Sequence, residues 1–346
     1  MPSQPHLYPT RALLAVAIAA AALFLSACGG GGGSSASTTT AAAADPAPQA
    51  QTLQSRFVAT VKAVSTSVVE IETPAGLGSG VVLDGKGDVV TNNHVVGSYK
   101  SFQITDSTGK RYSAKLVGTF VPDDLAVIRV SGAQLKPLAF ADSSHLQVGD
   151  IVLAVGNPLG LQSSVTQGIV SALGRTVTEQ NGSALAAVIQ TTAAINPGNS
   201  GGALVDLEGH VVGIPTLAAV DPETSQLASG IGFAIPSKTV QAIAGQLVRH
   251  GQVVNSGRAY LGARLATTVA GNVVVTAVVA QGPAASAGIV AGDTITAIDG
   301  HAVQSVDDVA ATLANLRPGA TAKVVVRTSA ETAETRTVTV GQYPGS

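Results

Sequence analysis

The chain has 346 residues, of which 45% are hydrophobic and 12% are charged, and its formal net charge is −2. This composition is typical of a folded protein with a large core, and it excludes a disordered chain. The basic residues are scattered without forming a stripe, so the sequence predicts no nucleic-acid partner.

The first 27 residues have the pattern of a lipoprotein-type signal peptide. Arg11 precedes an apolar run over residues 12–25, which is short for a bilayer span and fits a signal-peptide core. The run ends in Leu25-Ser26-Ala27-Cys28, which resembles the lipobox of bacterial lipoproteins. A plain signal peptide, or a short anchor with an incidental cysteine, is the alternative. Because Cys28 is the only cysteine in the chain, we predict a lipid on Cys28 and a membrane-anchored protein outside the cytoplasm, in the periplasm or cell envelope.

Residues 28–52 are rich in Gly, Ser, Thr and Ala. Such a segment cannot bury a core and is predicted to be a flexible tether. The following residues, 53–65, favour a short helix, because Phe57, Val58, Val61 and Val64 fall on one helical face. An anchor and a tether together predict a folded body held near a membrane.

The first folded body, residues 53–236, is predicted to consist of short strands. Its β-type runs are separated by Gly, Pro, Asn and Asp, which favours an antiparallel sandwich or barrel. The predicted strands cover residues 67–73, 80–83, 88–91, 113–120, 125–130, 151–155, 168–173, 187–191, 203–205 and 210–215. The sequence has neither βαβ alternation nor a Gly-rich phosphate loop, so a nucleotide-dependent enzyme is not indicated.

One serine lies in a turn that is crowded with glycine and proline. Residues 196–202 read Asn-Pro-Gly-Asn-Ser-Gly-Gly, a composition that excludes a helix and interrupts a regular strand. The backbone N–H groups of such a turn can point at a ligand, and the Ser200 hydroxyl can attack a carbonyl. Taken alone, an ordinary Gly/Ser surface turn is the simpler interpretation.

A serine nucleophile near neutral pH needs a base, which is usually histidine. Of the six histidines, His94 is the best placed, because it follows an apolar strand within a polar cluster. The base in turn needs an orienting acid. Asp124 directly precedes the apolar run 125–130, whereas Asp123 is interpreted as a loop residue.

At this point several segments together resemble the HtrA (Deg) family of serine proteases. They are residues 91–96, 124–127, 156–160, 168–175, 193–202 and 231–236. The resemblance covers roughly residues 56–340, with the motifs in the family's order. It implies a mostly β fold, in which a chymotrypsin-like double β-barrel is followed by a small α+β PDZ domain.

The resemblance also implies roles for individual residues. Ser200 is the nucleophile, His94 the general base and then acid, and Asp124 the orienting carboxylate. The N–H groups of Gly198 and Ser200 form the oxyanion hole. Independently of the resemblance, the freedom of its glycines makes this turn the place where activity is expected to be switched, by turning the Gly198 N–H away. The chemistry needs no cofactor, and the histidines lack the spacing of metal ligands.

The predicted specificity pocket carries no charge. Ala194 and Ile195 precede the nucleophile turn without an acidic residue, and the resemblance likewise implies a pocket for small aliphatic side chains. Thr192 and Ala203 depart from the family pattern, which commonly has aspartate and proline at these positions. Neither departure affects the triad.

Residues 237–254 are predicted to form a connecting helix, capped by Ser237 and terminated by Gly251. Residues 255–342 look like a PDZ domain, with helices over 283–287 and 305–316, and a capping-box pattern beginning at Ser305. The resemblance implies that Tyr260, Leu261, Gly262 and Ala263 form the loop that binds a peptide carboxylate.

The sequence therefore predicts a membrane-tethered serine endopeptidase that cleaves misfolded or regulatory proteins and whose PDZ domain binds peptide C-termini. The alternative is a peptide-binding protein or chaperone whose protease site is idle. The resemblance further implies a homotrimer built through the N-terminal part of the protease body, to which Phe57 would contribute.

Overall fold

The computed structural model describes residues 48–157, 164–178, 184–196, 198–220 and 227–344. The predicted signal peptide, Cys28 and most of the predicted tether lie outside the described residues. No helix in the described ranges is long and apolar enough to cross a membrane.

The N-terminal helix α1 (Pro48–Ser65) begins five residues before the predicted start. Residues 48–52, assigned to the tether from their composition, are therefore helical. The helix is anchored to the second barrel through one turn: Thr60 Oγ1 donates to the Leu207 carbonyl at 2.6 Å, and Arg56 pairs with Glu208 at 2.9 Å. The helix is therefore joined to the second barrel over residues 56–60, inside the range that the sequence predicted.

Six antiparallel strands close the first barrel, in the spatial order β1-β2-β3-β6-β5-β4. They are β1 (Val68–Thr73), β2 (Gly76–Val82), β3 (Asp88–Asn92), β4 (Ser101–Thr105), β5 (Arg111–Phe120) and β6 (Leu125–Val130). Strand β4 is absent from the predicted set, because two of its five residues, Ser101 and Gln103, are polar and exposed. Its buried partners Phe102 and Ile104 alternate with them, as expected for a half-buried strand.

The second barrel is also closed and six-stranded, in the order β10-β11-β12-β9-β8-β7. Its strands are β7 (Ile151–Gly156), β8 (Ser164–Thr178), β9 (Ala184–Thr191), β10 (Ala203–Val205), β11 (Val211–Val220) and β12 (Leu227–Pro236). The two barrels confirm the predicted fold class.

A hydrophobic core joins the two barrels to helix α3 (Ser237–His250). Phe120 and Leu125 of the first barrel and Ile214 of the second belong to the same buried cluster as Ile243 and Leu247 of the helix. Because this core is shared, the two barrels are packed against each other and against helix α3.

Helix α3 ends as predicted but begins differently. Gly251 adopts a φ of 72° and its N–H donates to the Leu247 carbonyl. Ser237 is already the first helical residue and does not cap it, so that prediction is wrong. Its buried hydroxyl instead donates to the Ala141 carbonyl at 2.6 Å and ties the helix to the segment between the barrels.

The C-terminal part is a small α+β unit around one core. Its elements are β13 (Ala259–Tyr260), β14 (Ala263–Thr267), β15 (Val273–Val278), α4 (Pro283–Ser286), β16 (Thr294–Ile298), β17 (His301–Ala302), α5 (Val306–Ala314), β18 (Thr321–Arg327), β19 (Ala333–Thr339) and β20 (Gly341–Gln342). The predicted capping box is confirmed, since Ser305 accepts from the Asp308 N–H while the Asp308 side chain accepts from the Ser305 N–H. Strand β14 lies at one edge of the main sheet, beside β15.

Candidate active site

Asp124 lies at the end of a 3-10 turn (Val121–Asp123) that separates β5 from β6. It adopts a left-handed conformation with a φ of 49°, and only 1% of the residue is exposed. Aspartate tolerates this region better than most residues. The reversed backbone places the carboxylate inside the molecule, where it must be satisfied by hydrogen bonds.

His94 supplies two of those bonds. It lies in the one-turn helix α2 (Asn93–Val96), directly after β3. Its backbone N–H donates to Asp124 Oδ1 at 2.9 Å, and its ring Nδ1 is 2.7 Å from Asp124 Oδ2. Because a carboxylate only accepts, this contact favours the tautomer with the proton on Nδ1. The side chain is 44% exposed, so Nε2 is the ring nitrogen available for proton transfer with a substrate.

The same strand end is further held by asparagines. The Asp124 carbonyl accepts from the Asn93 N–H at 3.0 Å and from Asn92 Nδ2 at 3.1 Å. His94 and Asp124 are therefore joined through both main chain and side chains within the first barrel.

Thr216 is a further partner of Asp124 that sequence reasoning missed. Its hydroxyl donates to Asp124 Oδ2 at 2.6 Å, and the residue is 3% exposed. Its carbonyl lies 3.3 Å from Ser200 Oγ, which donates to it. Thr216 belongs to β11 of the second barrel and so connects the carboxylate to the serine across the interface. Its one sequence signal is a hydroxyl within the otherwise largely apolar run 211–220.

Ser200 is half-buried in the nucleophile turn, residues 196–202. Asn199 organises this turn: its N–H donates to the Asn196 carbonyl, its Oδ1 accepts from the Asn196 N–H, and its Nδ2 donates to the Ala194 carbonyl. Gly201 and Gly202 continue the pattern by donating to Pro215 and Asn199. The turn is thus held partly by its own groups and partly by the carbonyls of Ala194 and Pro215.

Two N–H groups of the turn donate to no acceptor within the described ranges, those of Gly198 and Ser200. Gly198 has a φ of 107°, a conformation that side chains rarely adopt. These are the two groups predicted to form the oxyanion hole. Pro197, whose carbonyl belongs to the same peptide as the Gly198 N–H, lies outside the described residues.

The predicted specificity residues lie beside this turn. Ile195 is 5% exposed and packs against Gly232, where a Cβ would overlap the isoleucine side chain. Ala194 is exposed, and its carbonyl accepts from Thr166 Oγ1 at 2.8 Å. Neither residue brings a charge. Thr192, a departure from the family pattern, exchanges two hydrogen bonds with the Ile169 backbone.

Asp123, the neighbour of Asp124, pairs with Arg258 at 2.5 Å. Arg258 also donates to the Pro122 carbonyl. Burial raises the pKa of the Asp123 carboxyl above its ordinary value, although Arg258 opposes this rise. The pair joins the first barrel to the segment leading into β13, a contact that the sequence did not indicate.

The predicted carboxylate-binding loop connects β13 to β14. Leu261 is 3% exposed, and Gly262 has a φ of 75°. Both carbonyls are used inside the domain, since Leu261 accepts from Ala284 and Gly262 accepts from Val279, each at 2.8 Å. The N–H groups of Leu261 and Gly262 donate to no acceptor in the described part of the chain. Two adjacent N–H groups of this kind suit a carboxylate.

Known proteins resemble the two parts separately. Residues 78–214 match the model of the trypsin-like peptidase domain, and residues 259–340 match that of the PDZ domain. The periplasmic serine endoprotease DegP of Escherichia coli is 44% identical over 239 residues, which are 66% of this chain and 49% of DegP. The chain spans about half the length of such curated relatives.

Solved structures extend the similarity to nearly their whole length. The serine endoprotease from Yersinia pestis is 34% identical, with 83% of this chain and 98% of that chain covered and a TM-score of 0.56. The HtrA-type protease AlgW with decapeptide is 30% identical, with 83% and 99% covered and a TM-score of 0.58.

Proposed function

Because this chain belongs to the HtrA family of serine proteases, we propose that it is an endopeptidase in which Ser200, His94 and Asp124 act as a catalytic triad. One observation carries the proposal. Asp124 binds His94 Nδ1 on one side and, through Thr216, lies within two hydrogen bonds of the Ser200 hydroxyl on the other. A structural histidine would not need a buried carboxylate connected to a serine on a glycine-rich turn.

The proposed reaction is a two-step acyl transfer. Ser200 Oγ attacks the substrate carbonyl while its proton passes to His94 Nε2, and Asp124 stabilises the resulting imidazolium. The proton then passes to the leaving amine as the peptide C–N bond breaks, which leaves an acyl ester on Ser200. Water, deprotonated by His94, attacks the ester and releases the second product.

The tetrahedral intermediate carries its negative charge on the former carbonyl oxygen. The N–H groups of Gly198 and Ser200, which donate to no acceptor among the described residues, support an oxyanion hole. Preorganised donors at this position stabilise charge that develops in the transition state. The uncharged surroundings of Ala194 and Ile195 support a preference for small aliphatic side chains at the cleavage site.

The C-terminal domain is proposed to bind peptide C-termini. The terminal carboxylate would accept from the N–H groups of Leu261 and Gly262, in the loop that Tyr260 and Ala263 flank. The peptide chain would add to the edge strand β14, which is the usual way in which PDZ domains bind. Misfolded or regulatory proteins are the corresponding substrate class.

A location outside the cytoplasm agrees with the similarity to DegP, a periplasmic endoprotease. We propose that a lipid on Cys28 anchors the protein to a membrane. Replacement of Cys28 by Ser would release it into the soluble fraction, whereas persistent membrane association would contradict the lipid.

A homotrimer is proposed on the same family grounds. Helix α1 exposes apolar side chains, since Val58 is 63% and Leu53 38% exposed, and Phe57 is half-buried on the same helix. Replacement of Val58 by Asp would lower the molar mass measured by light scattering if this helix contributes to the assembly.

Degradation of an unfolded protein such as casein tests the activity, with and without C-terminal peptides. Ser200→Ala is expected to abolish cleavage, while Ser101→Ala, at an exposed position in β4, retains it. Equal cleavage by wild type and Ser200→Ala would refute the nucleophile. No cleavage by the wild type, even with peptides, would favour a peptide-binding protein with an idle site.

A further inference from the structure

We propose that Ser79, in the first barrel, is a positioning residue that holds the nucleophile turn of the second barrel in the conformation its chemistry requires. This proposal deepens the proposed protease function and rests on it. Ser79 lies in the middle of β2 and is fully buried, yet its hydroxyl and its N–H form hydrogen bonds with the neighbouring barrel.

The Ser79 hydroxyl forms a directed pair of hydrogen bonds. Its oxygen accepts from the Asn157 N–H at 2.8 Å and donates to the Gly198 carbonyl at 2.5 Å. The Asn157 N–H can only donate, so it occupies the oxygen, and the hydroxyl proton is left for Gly198. Because each bond polarises the other, the pair is stronger than two separate bonds.

The Ser79 backbone holds the other end of the turn. Its N–H donates to the Ser200 carbonyl at 3.0 Å, and its carbonyl accepts from the Thr91 hydroxyl at 2.7 Å. One residue of the first barrel therefore binds the carbonyls of both Gly198 and Ser200, the same two residues whose N–H groups are proposed to bind the oxyanion.

Gly198 depends on this contact more than its neighbours do. Within the described ranges, the Ser79 hydroxyl is the one hydrogen-bond partner of Gly198. Asn199 is held by four hydrogen bonds of its own. Because glycine lacks a Cβ, its backbone rotates at little cost. Without the Ser79 hydroxyl, the peptide that carries the buried Gly198 carbonyl would rotate towards another donor. That rotation would also displace the neighbouring N–H groups of Gly198 and Ser200.

The proposal predicts a kinetic effect confined to the transition state. Removal of one direct oxyanion donor costs about 10²–10³ in kcat, so loss of a group that positions the donor should cost about tenfold to a hundredfold. Ser79→Ala is expected to lower kcat by that factor and leave KM nearly unchanged. Its affinity for a peptide aldehyde ending in valine, whose adduct places an oxyanion in the hole, should fall in parallel with kcat.

Ser237→Ala is the matched control. Ser237 is also fully buried, and its hydroxyl likewise accepts from an N–H, that of Ser143, and donates to a carbonyl, that of Ala141, but it forms no hydrogen bond with the turn. Both variants lose one buried hydroxyl, so both should lose stability in thermal unfolding. If Ser237→Ala lowers kcat as much as Ser79→Ala, or if Ser79→Ala retains wild-type kcat, the positioning role is overturned.

Amide hydrogen exchange gives a readout that needs no activity. In a Ser200→Ala background, Ser79→Ala should accelerate exchange of the Asn199, Gly201 and Gly202 amides, and Ser237→Ala should not. Unchanged exchange would overturn the Ser79 proposal. If the wild type cleaves nothing and Ser79→Ala still accelerates the exchange, the protease function is refuted while the positioning role is supported.

Discussion

The two barrels hold their proposed catalytic groups in different ways. In the first barrel, His94 and Asp124 bind each other through main chain and side chain, and asparagines at the same strand ends bind Asp124 again. In the second barrel, Ser200 lies on a glycine-rich turn whose Gly198 is held by a residue of the other barrel. The bonds that join His94 to Asp124 therefore lie within the first barrel, with one further bond from Thr216 of the second. The turn of the proposed nucleophile is instead held by both barrels.

Because of this difference, substitutions in the two regions should impair different parts of the proposed reaction. Damage to the first barrel's pair should remove proton transfer but leave the oxyanion hole intact. Damage to the contacts between barrels should weaken the oxyanion hole while His94 and Asp124 remain joined. A regulatory movement of the turn would have to break the bonds that Ser79 forms with the Gly198 and Ser200 carbonyls.

Asp124→Asn is expected to have the largest effect. The amide can no longer act as a pure acceptor for the His94 Nδ1 proton, so the imidazole loses its required tautomer, and kcat should fall by about 10⁴. Asp123→Asn is the control, because that carboxylate faces Arg258. Equal losses in steady-state kinetics for the two variants would refute the assignment of Asp124.

Gly198→Ala should come next. Its φ of 107° is strained for alanine, so the turn must readjust, and kcat should fall by about 10²–10³. Gly209→Ala is the matched control, with a φ of 84° in a turn away from the site and no close contact for its new Cβ. Both variants should lose similar stability, and a kcat loss in the control would show that strain alone accounts for the effect.

Thr216→Val tests the connection between the barrels. It removes one charge-assisted hydrogen bond to Asp124 Oδ2 and should lower kcat about tenfold. Thr60→Val is the control, because it also removes a buried hydroxyl, one that binds the Leu207 carbonyl and joins helix α1 to the second barrel. An equal kcat for Thr216→Val and wild type would mean that His94 alone suffices to orient the carboxylate.

The smallest effect concerns stability at the junction with the PDZ domain. Burial raises the pKa of Asp123 above 3.8, against the opposing influence of Arg258. The neutral carboxyl therefore favours the folded state, and its contribution is complete below 3.8 and is lost as pH rises through the raised pKa. As the pH rises from 3.8 through the raised pKa of Asp123, the thermal unfolding midpoint of the wild type should therefore fall relative to that of Asp123→Asn.

Asp308 provides the opposite sign within the same molecule. A backbone hydrogen bond from Gln304, and then the capping bonds with Ser305, lower its pKa below 3.8. Its contribution is present above 3.8 and is lost as pH falls through the lowered pKa. Relative to Asp308→Asn, the wild type should thus gain stability as pH rises. If the difference in unfolding midpoint between wild type and variant changed with pH in the same direction at Asp123 and Asp308, both assignments would be contradicted.

Local patterns predicted much of the fold. Strands β6 and β10 have the predicted bounds, and the capping box of α5 and the glycine end of α3 are confirmed. Strand β4 was missed because its exposed polar residues, Ser101 and Gln103, alternate with only two buried apolar residues, Phe102 and Ile104. Strand β8 runs from Ser164 to Thr178, well beyond the predicted 168–173, because pairing with two neighbours continues through its polar residues.

By itself, the sequence determined the family, the order of His94, Asp124 and Ser200, and the glycines that a nucleophile turn needs, since these depend on residue type and spacing. Only the tertiary structure decided which residues support that turn. Ser79 and Thr216 look like ordinary strand residues, and their roles arise because hydrogen bonds across an interface depend on distances between segments 119 and 92 residues apart. No local pattern encodes such distances, because they exist only once both barrels have closed around a common core.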